Sequence, residues 1–240
     1  MARNSNAKKL GVVDRAGAIV VAAGSSKRME GVDKLFMPIH GAPLLSHTLA
    51  AFEAVPSIQS VVLVLAPTNL ERGRELVRQY NFSKISEVCH GGERRQDSVR
   101  LGLRCLSPYP WVVIHDGARP CVEPRIIERG LDEAMRWGSA VAGVPVTDTI
   151  KVIREHGQVQ ETLHRSDLWS VQTPQIFPWE VLHRAHQQEG ISVTDDAALV
   201  ELLGYPVHIY FGSYANIKVT TYPDSLIAET LLQSEQRLPT

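Results

Sequence analysis

A phosphate site needs backbone N–H groups that small residues leave accessible, and cations to neutralise the ligand. The stretch Ala16–Lys34, AGAIVVAAGSSKRMEGVDK, supplies both. An apolar run through Ala22 and Ala23 reads as a buried parallel strand and empties at Gly24 into a small polar loop carrying Lys27, Arg28 and Lys34. Arg28 and Lys34 are far enough apart to hold a polyphosphate from opposite sides, stabilising charge on both the reacting and the leaving group. The plainer reading is a pair of solvated cations on a strand-to-helix turn. The loop matches neither G-x-x-x-x-G-K-[ST] nor G-x-G-x-x-G, so it is neither a P-loop nor a dinucleotide fingerprint.

Further along, Gly91 and Gly92 precede Arg95 and Ser98. Glycines there let a flat base lie against backbone, and Ser98 either bonds that base or caps the next helix. Asp116 closes the apolar run WVVIHD before Gly117, Ala118 and Arg119. A carboxylate at a strand end commonly holds Mg²⁺ while phosphate oxygens complete the shell; the alternatives are an Asx-turn or an ion pair with Arg119. Lys218, in NIKVT, sits in an apolar segment, where a lysine facing inward needs an anionic partner. Asp195 and Asp196 read as acids in the first turn of a helix capped by Thr194. Among nine histidines, His183 and His186 are close at helical spacing but lack a matching acid, and read as surface. There is no G-x-S-x-G and no activated Cys–His arrangement, so covalent catalysis is not expected.

The elements that must position these residues alternate. Ser60–Ala66, Ile85–Cys89, Trp111–Ile114 and Ser139–Pro145 read as strands. Helices are expected from Pro43, from Asn69 to Gln79, after Ser98 and from Pro124 to about Trp137, where apolar residues recur at helical spacing. Alternation of this kind implies a mostly parallel sheet, which binds ligands outside the carboxyl ends of its strands. The loops at Gly24–Lys34, Gly91–Ser98 and Asp116–Pro120 should therefore converge on one edge. The rhythm breaks near Thr147: Thr149–Arg154 and Val159–His164 flank Gly157 and predict a hairpin too polar for the core. It reads as an arm, at about 147–174, that leaves the sheet to pack on a partner subunit. Later, Trp179 to about Gln188 and Thr194 to Leu203 read as helices, Val207–Phe211 and Ile217–Thr220 as strands, and a last helix starts at Asp224.

Length and composition bound the rest. The 240 residues, 44% of them hydrophobic, suit one domain over 16–240 after a polar, flexible leader at 1–15. A net charge of -1 gives no general attraction to nucleic acid or to anionic membranes. No apolar stretch approaches the ~20 residues a membrane span needs. The three cysteines, Cys89, Cys105 and Cys121, form no C-x-x-C pair, which argues against a zinc site and suits a cytoplasmic, reducing location.

Taken together, AAGSSKRM with Lys34, GGERRQDSV, HDGARP, PVTDTIK, the TPQ of QTPQIF, VTDDA and NIKVT resemble the 2-C-methyl-D-erythritol 4-phosphate cytidylyltransferase family, in order, from about Ala22 to Thr220. The resemblance implies a Rossmann-like α/β nucleotidyltransferase fold with a protruding β-hairpin arm, and a homodimer formed through that arm. It implies CTP and a sugar-alcohol phosphate as substrates and Mg²⁺ as cofactor. Arg28, Lys34 and Lys218 would be the catalytic cations, with Asp116 positioning the metal. Ala22, Ala23, Gly24, Gly91, Gly92, Arg95, Ser98, Asp116 and Ala118 would hold CTP. Thr149 and Arg165, on the arm, would reach across a dimer to the acceptor, with Thr173 and Thr194 completing that pocket. Ribitol 5-phosphate is the rival acceptor. Asp33 precedes Lys34 where the family commonly has Pro, and Ala215 stands where an acidic residue is frequent, so no second metal contact is implied there. Some members are fused to a zinc-dependent cyclase; a single-function protein is expected here.

Overall fold

The computed structural model describes residues 15–24, 33–188 and 190–233. The leader at 1–14 and the loop residue Arg28 lie outside them. Eleven strands and seven α-helices are present among the described residues. The main sheet has seven strands in the order β11-β7-β10-β6-β1-β4-β5. In chain order they are β1 (Ala16–Ala22), β4 (Ile58–Leu65), β5 (Ile85–His90), β6 (Trp111–Asp116), β7 (Ala140–Pro145), β10 (Trp169–Pro178) and β11 (Ile209–Phe211). The short β2 (Pro38–Ile39) and β3 (Ala42–Pro43) pair with each other, as do β8 (Lys151–Ile153) and β9 (Val159–Thr162).

The central strands β1, β4 and β6 carry near-continuous Val, Ile, Leu and Ala because helices cover both faces. On one face pack α1 (Leu44–Glu53), α2 (Leu70–Gln79), α4 (Pro124–Trp137) and α7 (Tyr222–Gln233); on the other pack α3 (Arg95–Cys105), α5 (Trp179–Ala185) and α6 (Asp196–Leu202). Phe52, Ile58 and Ile126 anchor the first core layer, and Val99, Leu182 and Phe177 the second. β1 pairs in parallel with β4 and β6, and β4 with β5. β10 is the antiparallel exception, paired to both β6 and β7. Because it runs backwards, β10 starts at the carboxyl edge of its neighbours, carrying the chain from the arm straight into the site.

The arm is the β8–β9 hairpin, with Gly157 at φ +77 in its turn. Its strands are shorter than the sequence suggests, and it forms no ladder with the main sheet. Two boundaries also differ. Ile217–Thr220 is not a strand, because its backbone groups serve loops instead: Val219 N–H donates to Ala118 O at 2.8 Å, and Val219 O accepts from Lys34 Nζ at 2.9 Å. The cap of α6 is Asp195 rather than Thr194, since the Asp195 carboxylate accepts from Ala198 N–H at 3.1 Å.

Candidate active site

The carboxyl ends of β1, β5 and β6 meet at one edge of the sheet. Gly91 N–H donates to Leu65 O and Gly117 N–H to Val21 O, each at 2.8 Å, so both loops are pinned to strand ends. The two glycine loops close tightly. A Cβ on Gly91 would lie 2.2 Å from Ala23 Cβ and 2.7 Å from Ser98 Oγ, which only a hydrogen atom avoids. Gly91 thus brings the second loop onto the first, while Gly92 lines the resulting cavity.

That cavity, about 250 Å³, is walled by Ala22, Ala23 and Gly24 from the first loop, by Gly92, Arg94, Arg95 and Ser98 from the second, and by Lys34, Asp116, Ala118 and Lys218. Ser98 lies within α3 and is not its cap: its hydroxyl accepts from Gly92 N–H at 3.1 Å and donates to Arg94 O at 3.2 Å. The residue at the cap position is Arg94, whose N–H donates to Asp97. A second cavity, about 220 Å³, is lined by Arg119, Gln172, Thr173, Gln175, Thr194 and Asp195. Arg95, Asp116 and Lys218 line both, and so form the wall between them.

Asp116 is the hub of that wall. Its Oδ1 accepts from Arg95 Nε at 3.0 Å, and its Oδ2 lies 2.8 Å from Lys218 Nζ and 3.6 Å from Arg119 Nε. Burial alone would raise its pKa, but Arg95, Lys218 and Arg119 hold the carboxyl well below the usual carboxylate range. The Arg119 pairing left open by the sequence is therefore present, together with two further cations. Asp116 N–H donates to Thr173 Oγ1 at 3.0 Å, and the same hydroxyl bonds His115 Nδ1 at 3.1 Å. Burial pushes the His115 pKa down to about 3, with Arg119 and Arg95 adding to the effect against Asp116, so His115 is neutral at pH 7. A neutral imidazole can accept at Nδ1, which orients the Thr173 hydroxyl to receive the Asp116 amide. Thr173 thus holds the hub as well as lining the second cavity.

Three residues that sequence reasoning passed over complete the arrangement. Asp196 is not simply a helix-start acid: it is fully buried and its Oδ2 accepts from Arg95 Nη1 at 2.6 Å. His186 is buried rather than on the surface, with Nε2 2.9 Å from Asp196 Oδ1; the matching acid lies ten residues on, in the next helix, beyond the reach of a helical-spacing search. Gln175 joins β10 to α6, donating to Asp195 Oδ2 at 2.8 Å and accepting from Ala197 N–H at 3.0 Å. The TPQ spacing was a signal for Gln175; nothing local marked Asp196 as buried. Lys34 and Lys218 are brought together through Val219, whereas Thr149 and Arg165 are not brought to the cavities. Both are exposed on the arm, where Arg165 Nη1 donates to Thr147 O at 2.6 Å.

A buried carboxylate ringed by cations, between two cavities at the carboxyl edge of a parallel sheet, suits transfer of a phosphate-bearing group between two ligands. Comparison with known proteins decides the family. The IspD model, described as 2-C-methyl-D-erythritol 4-phosphate cytidylyltransferase, matches residues 16–234. The chain belongs to this family. It is similar to the 2-C-methyl-D-erythritol 4-phosphate cytidylyltransferase of Dehalococcoides mccartyi strain CBDB1, at 51% identity over 92% of this chain and 97% of that protein. The counterpart from Desulforamulus reducens is 44% identical over 90% and 95% of the two chains. Among solved structures, the Thermus thermophilus cytidylyltransferase superposes with a TM-score of 0.75 at 32% identity, covering 90% of this chain and 98% of that one. The 4-diphosphocytidyl-2C-methyl-D-erythritol synthase of Anaerococcus prevotii superposes with a TM-score of 0.82 at 26% identity, covering 92% and 97%. In this cytidylyltransferase, then, the wall of Arg95, Asp116 and Lys218 sits at the carboxyl edge of the seven-stranded sheet, between the two cavities.

Proposed function

We propose that the protein transfers CMP from CTP to 2-C-methyl-D-erythritol 4-phosphate and releases pyrophosphate. The observation that carries this reading is the shared wall: two cavities meet at Arg95, Asp116 and Lys218, where the α-phosphorus of a nucleotide in one could face a phosphate oxygen from the other. The acceptor phosphate oxygen attacks the α-phosphorus in line, the bond from the α-phosphorus to the bridging oxygen breaks, and pyrophosphate leaves with that electron pair. No proton has to be removed from an already ionised phosphate, so no general base is needed. Catalysis is by position and charge. Lys34 and Lys218, tied through Val219, would share the triphosphate with Arg28, and Gly92 and Ser98 would border the base.

Mg²⁺ fits this site. Asp116 is an ionised carboxylate in the nucleotide cavity, and Mg²⁺ is usually held by one or two carboxylates plus substrate phosphates. Its partner Lys218 is 39% exposed in its side chain, so Asp116 would be open to the ion and Lys218 to a phosphate. Bound there, the ion would neutralise phosphate charge. The arm supports a homodimer: its hairpin leaves Ile153 63% and Val159 53% exposed, as a surface meant for a second copy does. Arg165 and Thr149 would then serve the acceptor pocket of the partner, beside Thr173 and Thr194. A cytoplasmic location agrees with three cysteines that form no disulfide, and no helix among the described residues is long and apolar enough to cross a membrane.

Ribitol 5-phosphate is the less favoured acceptor, since the family model and the relatives are named for methylerythritol phosphate. Incubation with CTP, Mg²⁺ and each acceptor tests the reading. Pyrophosphate and a cytidine diphosphate adduct are expected with methylerythritol phosphate. Turnover confined to ribitol phosphate would overturn it.

A further inference from the structure

We propose that His186 is a positioning residue for the transfer reaction, acting through Asp196 on Arg95. The proposal rests on the reading of the site given above. His186 follows the last turn of α5 and is 6% exposed; neither it nor Asp196 lines the two substrate cavities. The connection runs inward in three bonds. His186 Nε2 is 2.9 Å from Asp196 Oδ1, Asp196 Oδ2 is 2.6 Å from Arg95 Nη1, and Arg95 Nε is 3.0 Å from Asp116 Oδ1.

The chemistry of each group sets the direction of these bonds. Burial by itself would raise the Asp196 pKa, but the Arg95 charge and the His186 hydrogen bond keep it below the ordinary carboxylate value. An ionised carboxylate only accepts, so the His186 nitrogen that faces it must carry the proton. Asp196 is therefore gripped at each oxygen by a different donor, from α5 on one side and from α3 on the other. That grip blocks rotation of the carboxylate and leaves one oxygen for Arg95.

Loss of the imidazole would strand Asp196 Oδ1, a buried charged atom, without a donor. The cheapest remedy is for Asp196 to turn both oxygens to the guanidinium. Arg95 would then follow Asp196 and weaken its hold on Asp116, the hub of the wall between the cavities. Misplacement of this kind is felt in the rate even when the altered side chain is remote from substrate.

The test uses full-length protein and steady-state transfer from CTP to methylerythritol phosphate. His186→Phe keeps bulk and removes the donor; His186→Gln keeps an N–H donor. H186F is expected to lower kcat/KM about tenfold, while H186Q stays within about threefold of the parent, since an amide can replace the bond. In an Arg95→Ala background H186F should cost nothing further, because the residue it positions is gone. If H186F does not fold, His186→Met, flexible and donor-free, is compared with H186Q in the same way. The proposal is overturned if the donor-free variant keeps full kcat/KM, if H186Q loses as much as it does, or if the loss persists in the Arg95→Ala background.

Discussion

The sheet edge and the hairpin arm are built on opposite terms. At the edge, Asp116 and Asp196 are buried and densely paired: Arg95 joins the two carboxylates, and Lys218 and Arg119 crowd the first. On the arm, Thr149, Arg165, Ile153 and Val159 are all exposed, and among the described residues the hairpin's hydrogen bonds run within itself and to its own base. The charges at the edge are fixed by one another, through ion pairs to buried carboxylates. On our reading, the contrast means that the nucleotide half of the site is built within one chain, whereas the acceptor half is completed by a second copy.

Changes at the edge should hit chemistry hardest. Lys218→Ala and Lys34→Ala are each expected to lower kcat by about 100-fold or more with folding intact, because a preorganised charge on the transferring group is lost; Arg28→Ala should behave alike. Stopped-flow pyrophosphate release checks this, and unchanged turnover would mean that these cations do not act on the transferring group. The arm should respond differently. Arg165→Ala is expected to raise KM for the acceptor about tenfold while leaving KM for CTP near the parent value, the pattern of a lost charge-assisted contact to one ligand. Equal effects on both would dissolve the distinction between the two regions.

Stability separates them as well. Asp196→Asn leaves Arg95 with one fewer buried partner, and is expected to cost about 3 kcal/mol in denaturant unfolding at neutral pH. The arm variant Arg165→Ala, on an exposed residue, should cost no more than about 0.5 kcal/mol. The pH dependence follows from the depressed pKa values of Asp116 and Asp196. A carboxylate with a folded pKa below its unfolded one stabilises fully above the unfolded value, about pH 4, and that stabilisation is lost as pH falls toward the folded value. Unfolding of the parent should therefore steepen on acidification below about pH 4, and the steepening should be weaker in D196N. A profile unchanged by D196N would mean that Asp196 is not held as an ion.

Much of this was legible in the residues themselves. The apolar runs locate β1, β4, β6 and β7 because strands buried on both faces must be nearly apolar throughout, while β5 is a half-exposed edge strand, and Pro124 to Trp137 marks α4 because Pro starts it and Gly138, at φ +90, ends it. The loops at Gly24, Gly91 and Asp116 meet because parallel strands all end on one edge. What the residues hid were long-range pairings. Asp196 and Arg95 are 101 positions apart, and no local pattern separates an acid that complements a helix dipole from one that closes a buried ion pair. His186 reads as surface because its acid, Asp196, lies ten residues on in the next helix, outside any helical spacing. The segment 217–220 has the composition of a strand, yet tertiary demand for its carbonyls and amides by Lys34 and Ala118 outweighs its β propensity. Ser98 was open between two roles because its position in α3 depends on where the helix starts, and that boundary is set by Arg94 and Asp97.

The proposed division of the site between copies has its most direct test in subunit mixing. K218A and R165A proteins are unfolded together, refolded and assayed with the acceptor well below its KM, where each is impaired alone. If the arm of one copy completes the site of the other, mixed dimers carry one intact site, built from the Lys218 of one chain and the Arg165 of its partner, and the mixture should recover about a quarter of the parent activity for random pairing. If each chain uses its own arm, the mixture should show no more than the average of the two parents, and that result would contradict the account.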